Sequence, residues 1–151
     1  MIKEFQGEYR WLSNFWSSVE HPVIVEYEGK TYETVEKAYQ AAKTENLELR
    51  DQISRLDSPG KAKRFYRDRK GDIRSDWNDI NVEIMEDLTR QKFSEDYYKR
   101  KLLATGDEEI QEGNYWGDSH WGVDLKTGRG ENRLGKIIMK VREELADELS
   151  G

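Results

Sequence analysis

The chain has 151 residues, a formal net charge of −6, 35% apolar and 11% aromatic residues, and no cysteine. That length fits one domain with no independent second one, and without cysteine there is no disulfide framework, thiol nucleophile or thiolate metal site, so a reducing compartment, the cytoplasm, is the expectation. The acidic balance argues against sequence-blind binding to nucleic acid backbones, leaving room for a local basic patch that holds one nucleotide, and no stretch approaches the roughly 20 apolar residues of a membrane helix, so a soluble chain with no membrane partner is expected.

Residues His21 to Tyr27 and Lys30 to Tyr32 read as two strands joined at Glu28-Gly29, a hairpin. Thr34 is a candidate N-cap for a helix over Val35 to Glu45, with Val35, Ala38, Tyr39 and Ala42 on one side. Ser58-Pro59 opens a basic helix through Lys61, Lys63, Arg64, Arg67 and Arg69 that Gly71 ends. Trp77 to Lys92 repeats Ile80, Ile84, Met85 and Leu88 at helical intervals, and Ser94 starts a shorter helix closed by Gly106. From Glu112 to Gly130, five glycines interleaved with Trp116 and Trp121 predict a long folded loop with one strand at most. A last helix runs from near Asn132 to about Leu149 on a stripe of Leu134, Ile138, Val141 and Leu145.

Three segments could carry chemistry. On the first helix Glu36, Gln40 and Lys43 share one narrow polar stripe beside the apolar face, a set suited to holding a sugar and attacking its anomeric carbon. Spacing alone favours the plainer reading, a solvated polar edge on an ordinary amphipathic helix. The stretch Asn114 to Gly122 packs two indoles, two glycines and Asp118 together, as a wall for a planar base or as a structural aromatic loop. Trp11, Asn14, Phe15 and Trp16 pose the same choice. Gly130 to Lys136 imitates a Walker loop but has Ile137 where a magnesium-binding hydroxyl is needed. What survives is either backbone N–H groups at Gly128, Gly130 and Asn132 facing a phosphate, or a plain Asn-capped helix. His21 and His120 lack a second histidine at ligand spacing, so no metal is expected.

Taken together, four blocks resemble the NADAR, or YbiA-like, family of N-glycosidases: Leu12-Ser13-Asn14-Phe15; Tyr32 with Val35 to Lys43; Asp118 to Gly122; and Gly130 to Lys136. Trp77, Lys92, Phe93, Met139, Val141 and Arg142 add to the likeness. The resemblance implies an α+β fold, a single largely helical domain with a small antiparallel sheet. It implies cleavage of a ribose–nitrogen bond in an ADP-ribose-type or ribosylamino-pyrimidine phosphate substrate, since some relatives dispose of riboflavin-pathway intermediates and others remove ADP-ribose from guanine. The partner would be a small nucleotide-sugar or ADP-ribosylated nucleic acid, with no cofactor. By motif, Glu36, Lys43 and Asp118 would be catalytic, and Asn14, Phe15, Gln40, Trp121, Gly122 and Asn132 would bind substrate. Arg64 or Arg67 would hold phosphate. The alternative is a non-catalytic ADP-ribose or nucleotide-binding module, and a third reading, a plain interaction protein, requires Glu36, Gln40 and Lys43 to be freely exposed.

Overall fold

The computed structural model describes residues 1–150. In chain order the elements are β1 (Ile2–Glu4), β2 (Ile24–Tyr27), β3 (Lys30–Glu33), α1 (Val35–Ala42), α2 (Leu47–Ser54), α3 (Pro59–Arg64), α4 (Trp77–Lys92), α5 (Asp96–Ala104), β4 (Ile110–Asn114), β5 (Val123–Asp124) and α6 (Arg133–Ser150). Short 3-10 helices occupy Gly7–Leu12 and Lys70–Asp72. The fold is mixed α and β, as the family resemblance implies. Two compact units emerge: Asn14–Lys92, and Met1–Ser13 with the chain from Phe93 onward.

In the unit Asn14–Lys92, β2 and β3 pair antiparallel with Val25 opposite Tyr32. Glu28 and Gly29 at the turn have φ of 48° and 86°, the doubly positive conformation whose twist matches that of the flanking strands. Val25 and Tyr32 are buried and Ile24 and Glu26 point outward. The free edge of β2 is met by a side chain: Gln91 accepts from the Glu26 N–H at 2.7 Å and donates to the Glu26 carbonyl at 2.8 Å.

Every residue of α1 is buried. The Thr34 hydroxyl accepts from the Lys37 N–H at 3.2 Å, as an N-cap should, while its backbone holds a φ of 79° that β-branched residues rarely adopt. The helix stops at Ala42 rather than Glu45. The last turn tightens, the Lys43 and Thr44 N–H groups donating to the Gln40 and Ala41 carbonyls three residues back, and the Gln40 carbonyl also accepts the Tyr66 hydroxyl.

Sequence periodicity passes over α2, which starts when Asn46 accepts from the Glu48 and Leu49 N–H groups. Likewise α3 begins at Ser58-Pro59 as expected but ends at Arg64. Beyond it Tyr66 turns inward and donates its hydroxyl to the Gln40 carbonyl at 2.8 Å, which interrupts the expected basic helix. The buried stripe of α4 is Trp77, Asn81, Met85, Leu88, Thr89 and Lys92, with Ile80 and Ile84 only half-buried. That face is more polar than its apolar residues suggest.

In the other unit, β1, β4 and β5 form a parallel sheet in the order β1-β4-β5. This sheet is a difference from expectation: β1 carries three residues, and its partner Ile110 lies more than a hundred positions further on. Gly135 on α6 lies against the Ile110 carbonyl, and a Cβ there would collide with that oxygen and with the Asn132 amide. Gly135→Ala should therefore destabilise the protein by about 2 kcal/mol through overpacking against backbone, seen as a lower urea midpoint. An unchanged midpoint would show that α6 is free to shift.

Candidate functional site

The polar stripe of α1 is inside the protein. Glu36 is 7% exposed and Gln40 is 3% exposed, and Gln40 Nε2 donates to Glu36 Oε1 at 2.7 Å. Gln40 Oε1 is buried without a protein partner, an acceptor that a sugar hydroxyl or base N–H would satisfy. The Glu36 backbone N–H donates to the Asn14 carbonyl at 3.1 Å, and Asn14 Nδ2 lies 3.4 Å from the Met85 sulfur. Asn14 thus joins Glu36 through its backbone. These burials overturn both the solvated-edge reading and the plain interaction protein.

Lys43 follows the last turn of α1 and its Nζ lies 5.6 Å from the ring centroids of Tyr39 and Tyr66 and 6.0 Å from that of Trp77. Tyr39 and Trp77 pack at 5.0 Å. Burial and the Glu36 charge act on this amine in opposite senses. Burial governs: loss of water pushes the Lys43 ammonium below the usual lysine range, the Glu36 charge opposes this, and Lys63 reinforces it. A neutral, nucleophilic amine is therefore more accessible here than on an exposed lysine.

Phe15 is 39% exposed, with Lys63 Nζ 5.8 Å from its ring centroid. The guessed phosphate ligands Arg64 and Arg67 are exposed, and it is their neighbour Lys63 that lies by Phe15. Tyr66, Trp77 and Lys63 escaped notice as site residues. Trp77 reads as a helix start and the other two as part of a charged helix, and only tertiary packing gathers them.

The remaining predicted site residues lie together in the other unit. One oxygen of Asp118 accepts the N–H groups of His120 and Trp121, each at 3.0 Å. Asn114 clamps the same turn, accepting from the Asp118 N–H and donating to its carbonyl. The carbonyls of Ser119, Trp121 and Gly122 accept the N–H groups of Glu131, Leu134 and Asn132. The turn thus caps α6, and Gly128 donates its N–H to the Asp124 carbonyl, so the idea of a phosphate nest at Gly128 and Asn132 gives way to a capped helix. The Asn132 side chain accepts from the Glu112 N–H and donates to the Ile110 carbonyl, 3.0 Å each, tying β4 to α6. Gly122 sits where a Cβ would strike the Glu112 carbonyl. Trp121 is half-buried with His120 edge-on to it at 4.7 Å, whereas Trp11 is core, packed on Phe93.

Among the described residues no cluster of three histidine or acidic side chains could hold a metal ion, and no helix is long and apolar enough to cross a membrane.

Comparison with known proteins adds the following. The NADAR domain description matches residues 2–146. Over 125 residues the chain is 37% identical to the N-glycosidase YbiA of Escherichia coli, covering 82% of this chain and 77% of that protein. It is 36% identical over 137 residues to a riboflavin biosynthesis protein of Vibrio vulnificus, covering 90% of this chain but 35% of that longer protein. The NMR structure of E. coli YbiA superposes with a TM-score of 0.82 at 33% identity, covering 98% of this chain and 84% of that one.

Proposed function

The chain belongs to the NADAR domain family, and from that premise we propose that it hydrolyses the N-glycosyl bond between a ribose and a nitrogen base, with Glu36 and Lys43 as the reacting groups. The observation that carries this reading is the buried Glu36–Gln40 pair of α1 followed, at the end of that helix, by an amine that burial drives toward neutrality. Relatives named N-glycosidase, alike over most of their length, support it.

Departure of the base builds positive charge on the anomeric carbon, which a nearby carboxylate stabilises. In the proposed course the Lys43 lone pair forms a bond to that carbon. The carbon–base bond breaks, its electron pair leaves with the base, and the base takes up a proton. The sugar ring opens to an imine on Lys43, and water activated by Glu36 adds to the C=N bond and expels the amine. The net change consumes one water and yields a base N–H and a sugar hydroxyl. Gln40 holds Glu36 and offers its spare oxygen to the substrate. Asn14, bonded through its backbone to Glu36, and Phe15 beside it form its surroundings in this proposal.

Two substrate types fit: an ADP-ribosylated base such as guanine, and a ribosylamino-pyrimidine phosphate. The relative named for riboflavin biosynthesis supports the second. Incubation with ADP-ribosylated guanosine and, separately, with the ribosylamino-pyrimidine phosphate, read by mass spectrometry, should show release of free base from one of them. Binding of both without release would leave a nucleotide-binding module instead.

Borohydride added during turnover should trap a covalent adduct on Lys43, with a yield that rises with pH as the amine loses its proton. Its lowered pKa places that rise below the range of an ordinary lysine. An active enzyme that yields no adduct would reduce Lys43 to a binding cation.

A further inference from the structure

Both proposed reacting groups are tied to one residue, Gln40. Its side chain donates to Glu36 Oε1 at 2.7 Å, and its backbone carbonyl accepts the Lys43 N–H at 3.2 Å, closing the turn from which the amine extends. That carbonyl has a second donor, from outside α1. Tyr66, just beyond the end of α3, places its hydroxyl 2.8 Å from it. The Tyr66 ring, edge-on to Phe65 at 5.2 Å, has its centroid 5.6 Å from Lys43 Nζ. Tyr66 is 5% exposed whereas Lys43 is only half-buried, so the ring takes the place of water on one side of the amine.

At that separation the ring is near the outer limit of cation–π attraction, so its larger effect on Lys43 is to exclude water, which favours the neutral amine. The charges acting on Lys43 do not replace this effect: Glu36 favours the ammonium and Lys63 disfavours it, each less strongly than burial. Arg74, whose N–H reaches the Lys43 carbonyl, has its guanidinium held by Asp76 and Glu45. The phenol stays a donor while the amine titrates, because burial holds it above the usual tyrosine range, with Arg50 opposing and Asp72 reinforcing. We propose that Tyr66 is a positioning residue for Lys43: its ring keeps water from the amine, and its hydroxyl, through the Gln40 carbonyl, fixes the turn that carries the amine. The inference rests on the glycosidase reading above in taking Lys43 as the reacting group.

The test is an NMR pH titration of the lysine side chains in the substrate-free full chain, with the Lys43 signal identified by its loss in Lys43→Arg. Wild-type Lys43 should titrate below the range of exposed lysines. In Tyr66→Leu its midpoint should rise by about one pH unit as water reaches the amine, and in Tyr66→Phe, which keeps the ring, it should stay near that of wild type. Steady-state kinetics should show Tyr66→Phe losing about tenfold in kcat with KM unchanged, since only the hold on the turn is gone. An ordinary lysine midpoint in wild type would overturn the proposal, as would a folded Tyr66→Leu whose midpoint is unchanged or lower, the lower value meaning that the ring favours the ammonium. Full kcat in Tyr66→Phe would overturn the role of the hydroxyl and is the deciding result where Tyr66→Leu does not fold. Because the titration needs no substrate, its failure is separate from a failure to release base, which alone bears on the glycosidase reading.

Discussion

Glu36→Gln should fold normally, bind substrate, and turn over about a thousandfold more slowly than wild type. The expectation follows from the geometry of the buried pair. Glutamine at position 36 can still accept from Gln40 Nε2 through its own oxygen, as Glu36 does at 2.7 Å. The new side chain keeps the length and shape of Glu36, and Gln40 Oε1 nearby has no protein partner. Only the negative charge is lost, and with it the stabilisation of the cationic sugar and the activation of water. Single-turnover kinetics alongside calorimetric binding of a product analogue would separate the two effects. Wild-type turnover in the variant would remove Glu36 from the chemistry, and loss of binding with loss of turnover would make it a substrate ligand.

The second large effect concerns stability. Lys92, on the inner face of α4, is 2% exposed, and burial pushes its pKa down from the ordinary 10.5 to about 7. Between those two values the unfolded chain keeps a proton on this residue that the folded chain has released. Stability from this group therefore climbs with pH across that window, by about 1.4 kcal/mol per unit, and below pH 7 the folded protein carries this charge in its interior. Lys92→Met, similar in length and uncharged, should be more stable near neutrality by an amount on the order of 4 kcal/mol. Its advantage over wild type should shrink steadily as pH approaches 10. Urea unfolding of both proteins from pH 7 to 10 reads this directly, and a stability difference independent of pH would assign Lys92 an ordinary proton affinity.

The fold was partly written in local signals. Turn residues at Glu28-Gly29, the Thr34 hydroxyl, the Ser58-Pro59 step and the long stripe of α6 each announce an element through chemistry that acts within a few residues. The parallel sheet had no such announcement. Ile2–Glu4 is too short to show alternation, and β4, Ile-Gln-Glu-Gly-Asn, holds its strand by pairing on both edges rather than by propensity. Helix α2 hid for a related reason: one of its two buried residues is Arg50, placed inside by bonds to Thr44 and Glu28.

In the candidate site, spacing located Glu36, Gln40 and Lys43 but could not tell a wet edge from a buried one. What decides is the ring of Tyr39, Tyr66 and Trp77 around Lys43, and two of those three come from outside α1. Asp118 and Asn132 show the converse. They were legible only as members of motif blocks, and what the fold adds is that their side chains brace backbone in their own unit.

The pairing of Ile2 with Ile110 also sets an order of events during synthesis. The first strand must wait for more than a hundred further residues before its hydrogen-bonding neighbour exists, while all of Asn14–Lys92 is already available. For that interval the apolar side chains of Ile2 and Phe5, buried in the folded protein, have no sheet to join and are open to chaperones and proteases.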